Sequence, residues 1–355
     1  MTAVNRLLAL LGTRLPLIQA PMAGVQGAAL AAAVCEAGAL GSVPGATHTP
    51  DTLRAELTAL RAATDRPWNV NFFCHTTPVF EPAREAAWRA TLAPFHAEAG
   101  IDGSQVPPGA GRQPFSAALA DALEPFAPRV VSFHFGLPDA ALVARIKRWG
   151  SVVMSSATTV EEGLWLQQHG ADVVIAQGLE AGGHRGHFLS DDLSRQMGLM
   201  ALLPQLVAAL DLPVVAAGGL ADAAGVRAAM ALGAAGVQTG TVWLCCPEAT
   251  TSAVHRAALT GPDAAHTALT TAFTGRPARG IVNRAMRELG HLPATAPAFP
   301  TATAAMAPLR SHWEAQGRGD FTPLWAGQNT RGCRPVPAAE VVNTLAAGLT
   351  RGPDR

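Results

Sequence analysis

The sequence predicts an α/β protein of the closed-barrel kind, a TIM (β/α)8 barrel with an inserted segment and a C-terminal extension over the active-site face. Three observations predict it. Short β-branched runs alternate with Ala/Leu-rich stretches of helical period from residue 16 to about residue 260. The runs number eight, as a closed parallel ring requires. The residues least expected in a core (Asn, Gln, His and paired Gly) fall just after these runs, where such barrels build their sites.

The strands are expected at Leu17–Ala20, Leu40–Ser42, Trp68–Phe73, Val130–Phe133, Ser151–Ser155, Asp172–Ala176, Pro213–Ala217 and Gly236–Thr239. Each is a short β-rich run of the kind that alternates with helices around a parallel sheet. Helices are expected at Ala28–Ala37, Thr49–Ala63, Pro138–Trp149, Thr159–Gln168, Leu199–Ala209 and Ala221–Leu232. Thr49-Pro50-Asp51 and Ala221-Asp222 place a side-chain oxygen where the first turn has unpaired N–H groups. Residues 80–128 are too long for a simple connection and carry Val106-Pro107-Pro108-Gly109, so helical excursions and a loop are expected there. The barrel is expected to span 1–265. Residues 266–335 are expected to fold over the mouth as a pocket and lid segment, and within 336–355 a helix, Pro337–Leu349, to pack back on the barrel.

Composition narrows the partners. The chain of 355 residues is 49% hydrophobic and 15% charged, enough for a large core. Lys+Arg and Asp+Glu are 26 each with no like-charge block, which argues against nucleic acid or an anionic membrane and for a small molecule. No apolar stretch reaches the roughly 20 residues that span a bilayer. The N-terminus lacks a small-residue cleavage site, so the chain reads as mature and cytoplasmic. Five cysteines at no metal-ligand spacing read as reduced thiols, and no metal is expected. The oligomeric state is not legible.

The chemistry concentrates on the strand ends. Residues 174–188 read VIAQGLEAGGHRGHF: a strand ends in Gln177, and Gly182 and Gly183 bring His184 to where backbone and imidazole can both meet a ligand. Taken alone, the motif is equally an ordinary glycine turn with a solvated histidine. Pro21 and Met22 follow the first strand, Asn71 lies in the third and His134 closes the fourth, so the unusual residues share one rim. Gly218-Gly219 after the seventh strand and Gln238-Thr239-Gly240-Thr241 after the eighth offer backbone N–H groups to a phosphate, with Thr241 as a hydroxyl donor; the alternative is helix capping only. Asn71 and Gln177 each carry a donor and an acceptor that suit the polar edge of a flavin ring. Met22 packs either on a flat cofactor or in the core, and His134 is either a ligand contact or a core histidine bonded to a carbonyl.

Together, QAPMAG, NVNFFCH, FHFGLP, AQGLEAGGHRG, AAGGLAD, ALGAAGVQTGT, GRPARGIVNR and PLWAGQ resemble the successive motifs of class I nitronate monooxygenases, formerly called 2-nitropropane dioxygenases, over nearly the whole chain. The resemblance implies an FMN-dependent barrel that oxidises alkyl nitronates, propionate 3-nitronate among them, with O2 to a carbonyl compound and nitrite. It implies His184 as the catalytic histidine, with Met22, Asn71, Gln177, Gly182, Gly219 and the Gln238–Thr241 turn on FMN. Pro21, Gly183 and Gly218 flank these positions. The family often places Tyr and Lys in its substrate pocket, whereas this chain has no Tyr and one Lys, Lys147, on an outer helix. His134, Phe273 and Trp325 are therefore the candidate pocket residues. Arg276 and Arg331 are further candidates, Arg276 equally as a structural clamp. Rival readings are an FMN-dependent NAD(P)H reductase, enoyl-ACP reductase-like or NADH:quinone reductase, and a flavin-binding protein without turnover.

Overall fold

The computed structural model describes residues 1–107 and 112–349. Pro108 and Gly109 of the expected insertion, and the last six residues of the expected C-terminal segment, lie outside them. Eight parallel strands form the barrel: Leu17–Gln19, Gly41–Pro44, Trp68–Phe73, Val130–His134, Val152–Ala157, Val173–Gln177, Val214–Ala217 and Gly236–Thr239. They agree with the expected runs to within two residues at each end. Consecutive strands are neighbours from the second to the eighth, and the eighth returns to the first in the register Leu17↔Val237 and Gln19↔Thr239.

The seam between the first two strands is the weak point of the ring. Only the bridge Ile18↔Leu40 joins them as a ladder. Two buried amides complete it: Gln19 Oε1 accepts from Ser42 N (2.9 Å), Gln19 Nε2 donates to Gln26 Oε1 (2.6 Å), and Gln26 Nε2 donates to Ser42 O (2.7 Å). Side chains here do what backbone pairing does elsewhere, because every buried N–H and C=O needs a partner.

Strand residues alternate between two cores, as a period of two dictates. Ile18, Leu40, Val130, Met154, Ile175 and Val215 point inward and meet Leu7 and Leu11. These two leucines belong to a helix the sequence reading did not assign, Ala3–Leu11, capped by Thr2 and ended by Gly12 at φ +71°. Arg129 holds its last turn by donating to Leu10 O (2.7 Å) and Ala9 O (2.9 Å), and Leu7 abuts Gly236 at the start of the eighth strand. The brief apolar run near the N-terminus is thus the plug of the barrel floor. Leu17, Val174, Ala176, Val214 and Val237 point outward under the helices.

Six expected helices form, at Ala28–Glu36, Pro50–Ala63, Ala140–Arg148, Val160–Gln168, Leu199–Ala209 and Ala223–Ala231. Thr49 and Asp222 cap as expected, accepting from Thr52 N and Gly225 N. After the third strand, Ala117–Leu123 takes the ring position beside Pro50–Ala63. The eighth ring position is filled from far along the chain: Ala338–Ala346 packs between Ala28–Glu36 and Ala223–Ala231, burying Val341, Val342 and Leu345.

Two excursions share a core above the barrel. The helix Pro82–Glu98, after the third strand, packs on the helix Thr303–Glu314 of the C-terminal part. Fully buried Trp88 donates from Nε1 to Ala302 O (3.3 Å), and its ring lies in one cluster with Phe273, Met286, Leu309, Trp313 and Phe321. No helix among the described residues is long and apolar enough to cross a membrane.

Replacing Gln19 by Leu leaves Ser42 N and Gln26 Oε1 without their buried partners. We expect it to lower unfolding stability by about 2–4 kcal/mol, read as a lower denaturant midpoint. An unchanged midpoint would show that the seam is closed without the amides.

Candidate active site

A cavity of 410 Å³ opens at the C-terminal rim of the barrel, in the size range of small-molecule sites. Its wall takes residues from the ends of the first, third, fourth, sixth, seventh and eighth strands and from the C-terminal excursion.

Its most constrained part is the loop after the sixth strand. Gly183–His184 is a short strand, where the sequence suggested an open loop: Ala278–Ile281 pairs antiparallel with it, in the register Ala278↔His184 and Arg279↔Gly183, and with Thr267–Thr270 on its other side. Gly183 adopts φ +70° with open space where a Cβ would point. Gly182 has another reason to be glycine, since a Cβ there would meet Ala326 C and Gly327 N at 2.5 Å. Its lack of a side chain accommodates protein backbone.

Two side chains hold the His184 carbonyl: Gln177 Nε2 donates to it (3.0 Å), and so does His134 Nε2 (3.1 Å), whose Nδ1 accepts from Ser156 Oγ (3.0 Å). Gln177 Oε1 accepts from Gly186 N (2.7 Å), which leaves one N–H of this amide for a ligand. Arg185, fully buried, donates to Gly178 O (2.7 Å), Gln177 O (2.9 Å) and Gln196 Oε1 (2.7 Å). The His184 ring is fixed by Nε2 against Thr274 Oγ1 (2.9 Å). Thr274 Oγ1 donates onward to Arg276 O (3.4 Å), so it accepts from Nε2–H, and the Nδ1 lone pair has no hydrogen-bond partner among the described residues.

The two turns expected to hold a phosphate are bridged by one segment, and the first abuts the loop after the sixth strand, where a Cβ on Gly218 would lie 3.1 Å from Ala181 N. Gly218 and Gly219 have φ of +124° and +69°. A strap, residues 327–333, crosses both turns: Gly327 N donates to Thr241 Oγ1 (2.9 Å), Asn329 Nδ2 to Gly219 O (3.2 Å) and Cys333 Sγ to Thr241 O (3.2 Å). The Thr241 hydroxyl, expected to face a ligand as donor, is thus also an acceptor within the fold. Asn71 Nδ2 donates to Ser132 Oγ (3.0 Å), and the buried Gln238 Oε1 has no partner.

Burial sets the protonation of the histidines. His184 is pushed well below its ordinary value by burial first, then by the charges of Arg112, His134, Arg276 and His75. Burial likewise lowers His134 to about 3 and His255 to about 4, the latter despite its hydrogen bond to Trp325 O (3.1 Å). His187 falls to about 3 through burial beside Arg276 and Arg185, so its 3.5 Å contact with Asp191 is not an ion pair near neutrality. Among the described residues no Asp or Glu lines the cavity, while Arg112 and Arg310 do.

Of the residues singled out from sequence, His184, Pro21, Met22, Asn71, Gln177, Gly182, Gly183, Gly218, Gly219, Gln238, Thr239, Gly240, Thr241, His134 and Trp325 all line this cavity. Phe273 does not. Its buried ring stands behind Trp325, edge-on at 5.6 Å, because the segment after residue 270 turns into the core shared by the two excursions. Arg276 is a clamp outside the cavity, donating to His187 O and lying 4.2 Å over the Phe135 ring. Arg331 is exposed and lies off the wall. Arg112, His255 and Arg310 reach the cavity from the insertion and from two helices, with no strand-end signal to mark them.

Residues 5–348 match the model of the nitronate monooxygenase family. The nitronate monooxygenase of Pseudomonas aeruginosa is 43% identical over 97% of this chain and 99% of its own length, and that of Paraburkholderia phytofirmans 41% over 98% and 96%. Among solved structures, the nitroalkane oxidase of Streptomyces ansochromogenes superposes with a TM-score of 0.87 at 40% identity over 97% of both chains. FabK from Thermotoga maritima gives 0.70 at 26% identity over 96% of this chain and 94% of that one.

The suppressed histidines imply a pH dependence. Below about pH 6.5 the unfolded chain binds protons that native His134, His184, His187 and His255 refuse, so stability is full above that pH and falls as pH drops. Each contributes up to about 1.4 kcal/mol per pH unit within its window. We expect the denaturant midpoint to decrease from pH 7 to pH 5; a midpoint that rises over this range would contradict the neutral assignments.

Proposed function

The chain belongs to the nitronate monooxygenase family, and from that premise we propose that it is an FMN-dependent enzyme converting alkyl nitronates and O2 into a carbonyl compound and nitrite. Propionate 3-nitronate is among the substrates this reading includes. The observation that carries it is one cavity lined by glycine turns and a neutral histidine, with no carboxylate on its wall among the described residues.

The residues present suit FMN. Gly218-Gly219 and the Gln238–Thr241 turn can take the phosphate, where the strap through Gly327 and Asn329 keeps both turns in place. The unpaired Gln238 Oε1, the remaining N–H of Gln177 and the Asn71 amide can meet the polar edge of the ring, with Pro21, Met22, Gly182 and Gly183 beside it. When bound, FMN takes electrons from the nitronate and passes them to oxygen.

His184 acts on the substrate. With its Nδ1 lone pair free, it can remove the α-proton of a neutral nitroalkane. Toward a preformed nitronate, Nδ1 becomes the N–H donor to a nitro oxygen, and the Thr274 hydroxyl turns to donate to Nε2. Trp325 at 5.8 Å and Phe299 at 5.2 Å from the His184 ring flank it with apolar surface, which strengthens those hydrogen bonds by excluding water.

His184→Asn is expected to retain FMN at the wild-type ratio and to lose about 10²-fold or more in oxygen uptake with ethylnitronate. Full turnover at equal flavin content would refute the assignment.

A further inference from the structure

A nitronate is an anion, and the histidine facing it carries no charge of its own near neutrality. The compensating positive charge must come from elsewhere on the wall. The charged side chains there are Arg112 and Arg310. Arg310 Nε is paired with Glu314 Oε1 at 2.9 Å on the half-exposed end of its helix. Arg276 is turned away, its guanidinium donating to His187 O and covering Phe135.

Arg112 differs from both. Its side chain makes no hydrogen bond or ion pair among the described residues, and its guanidinium carbon lies 5.8 Å from the Phe73 ring centroid. The His184 ring lies 6.0 Å from the same centroid, so the two groups flank one phenyl ring at the mouth of one cavity. The position of Arg112 is fixed at its backbone, where His75 Nε2 donates to Arg112 O (2.9 Å), and three residues on Phe115 N donates to Phe73 O (2.8 Å). A largely buried guanidinium without a counterion is costly, and burial together with Arg310 already lowers its proton affinity. An anion in the cavity relieves that cost.

We propose that the Arg112 guanidinium binds the negatively charged nitro group of the substrate, a role that rests on the nitronate-oxidising reading above. The two oxygens of a nitronate are spaced like those of a carboxylate, and the planar fork of arginine can meet both at once. His184 then hydrogen-bonds or removes a proton beside a charge already neutralised. No electron or bond is transferred to Arg112.

The test uses the FMN-loaded protein and three variants. Arg112→Gln is expected to raise KM for ethylnitronate about 10- to 100-fold, Arg112→Lys to raise it less, and Arg54→Gln, on the outer helix Pro50–Ala63, to leave it unchanged. Nitrite, an unreactive anion, reads binding alone: its dissociation constant, followed by the quenching of Trp325 fluorescence, is expected to rise in Arg112→Gln in parallel with KM. That titration does not require bound flavin and remains decisive if a variant loses FMN. The His184 imidazole, observed by NMR, is expected to gain proton affinity in Arg112→Gln, a change that a merely structural role for Arg112 does not produce. KM and nitrite affinity within about twofold of wild type in Arg112→Gln would overturn the assignment while leaving the enzyme reading intact. Absence of nitronate-driven oxygen uptake in the unaltered protein would instead contradict the enzyme reading.

Discussion

The site depends on one anchored peptide, the His184 carbonyl held by Gln177 and His134 while the same residue pairs with Ala278. A Gly-Gly loop released from these contacts would regain about 1–2 kcal/mol of conformational entropy per residue, and the imidazole would sample many positions. Fixed at the carbonyl, at the antiparallel pairing and at Thr274, the ring has one. The anchors come from the fourth and sixth barrel strands and from the C-terminal excursion, so the geometry around His184 forms only when barrel and excursion are folded together.

Charge follows from that packing. Closing aromatic rings around His184 removes water, and removal of water discharges the histidines. Phe135 holds φ at +69°, a conformation unusual for a side chain of its size, and this places its ring 6.0 Å from His184 and directly under Arg276. The result is a cavity with fixed guanidinium charge, neutral imidazoles and, among the described residues, no carboxylate on its wall. On the proposed function, such a cavity suits a phosphate at the glycine turns and an electron-rich anion beside His184.

Much of this was legible in the sequence because barrel strands buried on both faces must be short β-branched runs, and because a site at strand ends must interrupt them with amides, histidines and glycines. Asn71, Gln177 and His184 stand out for that reason. Arg112, His255 and Arg310 do not, since they sit in an insertion and on helices where such residues usually face water; only the fold turns them to the cavity. The Gln19–Gln26 pair is hidden for another reason, as nothing local marks a ring that closes through side chains. Phe273 illustrates the opposite failure: it is a pocket candidate in place of the family's Tyr and Lys, but its ring lies one layer behind Trp325. The floor helix Ala3–Leu11 was hidden by its place before the first strand, although its Leu7 and Leu11 fall one helical turn apart on a single face.

The central claim is that this cavity brings a nitronate to a flavin without help from a reduced nicotinamide. Anaerobic mixing of the purified flavin-loaded protein with ethylnitronate alone, followed by visible absorbance, tests it most directly. The account predicts rapid loss of the oxidised flavin bands with the nitronate and little change with NADH or NADPH; bands that persist with the nitronate and bleach with a reduced nicotinamide would contradict it.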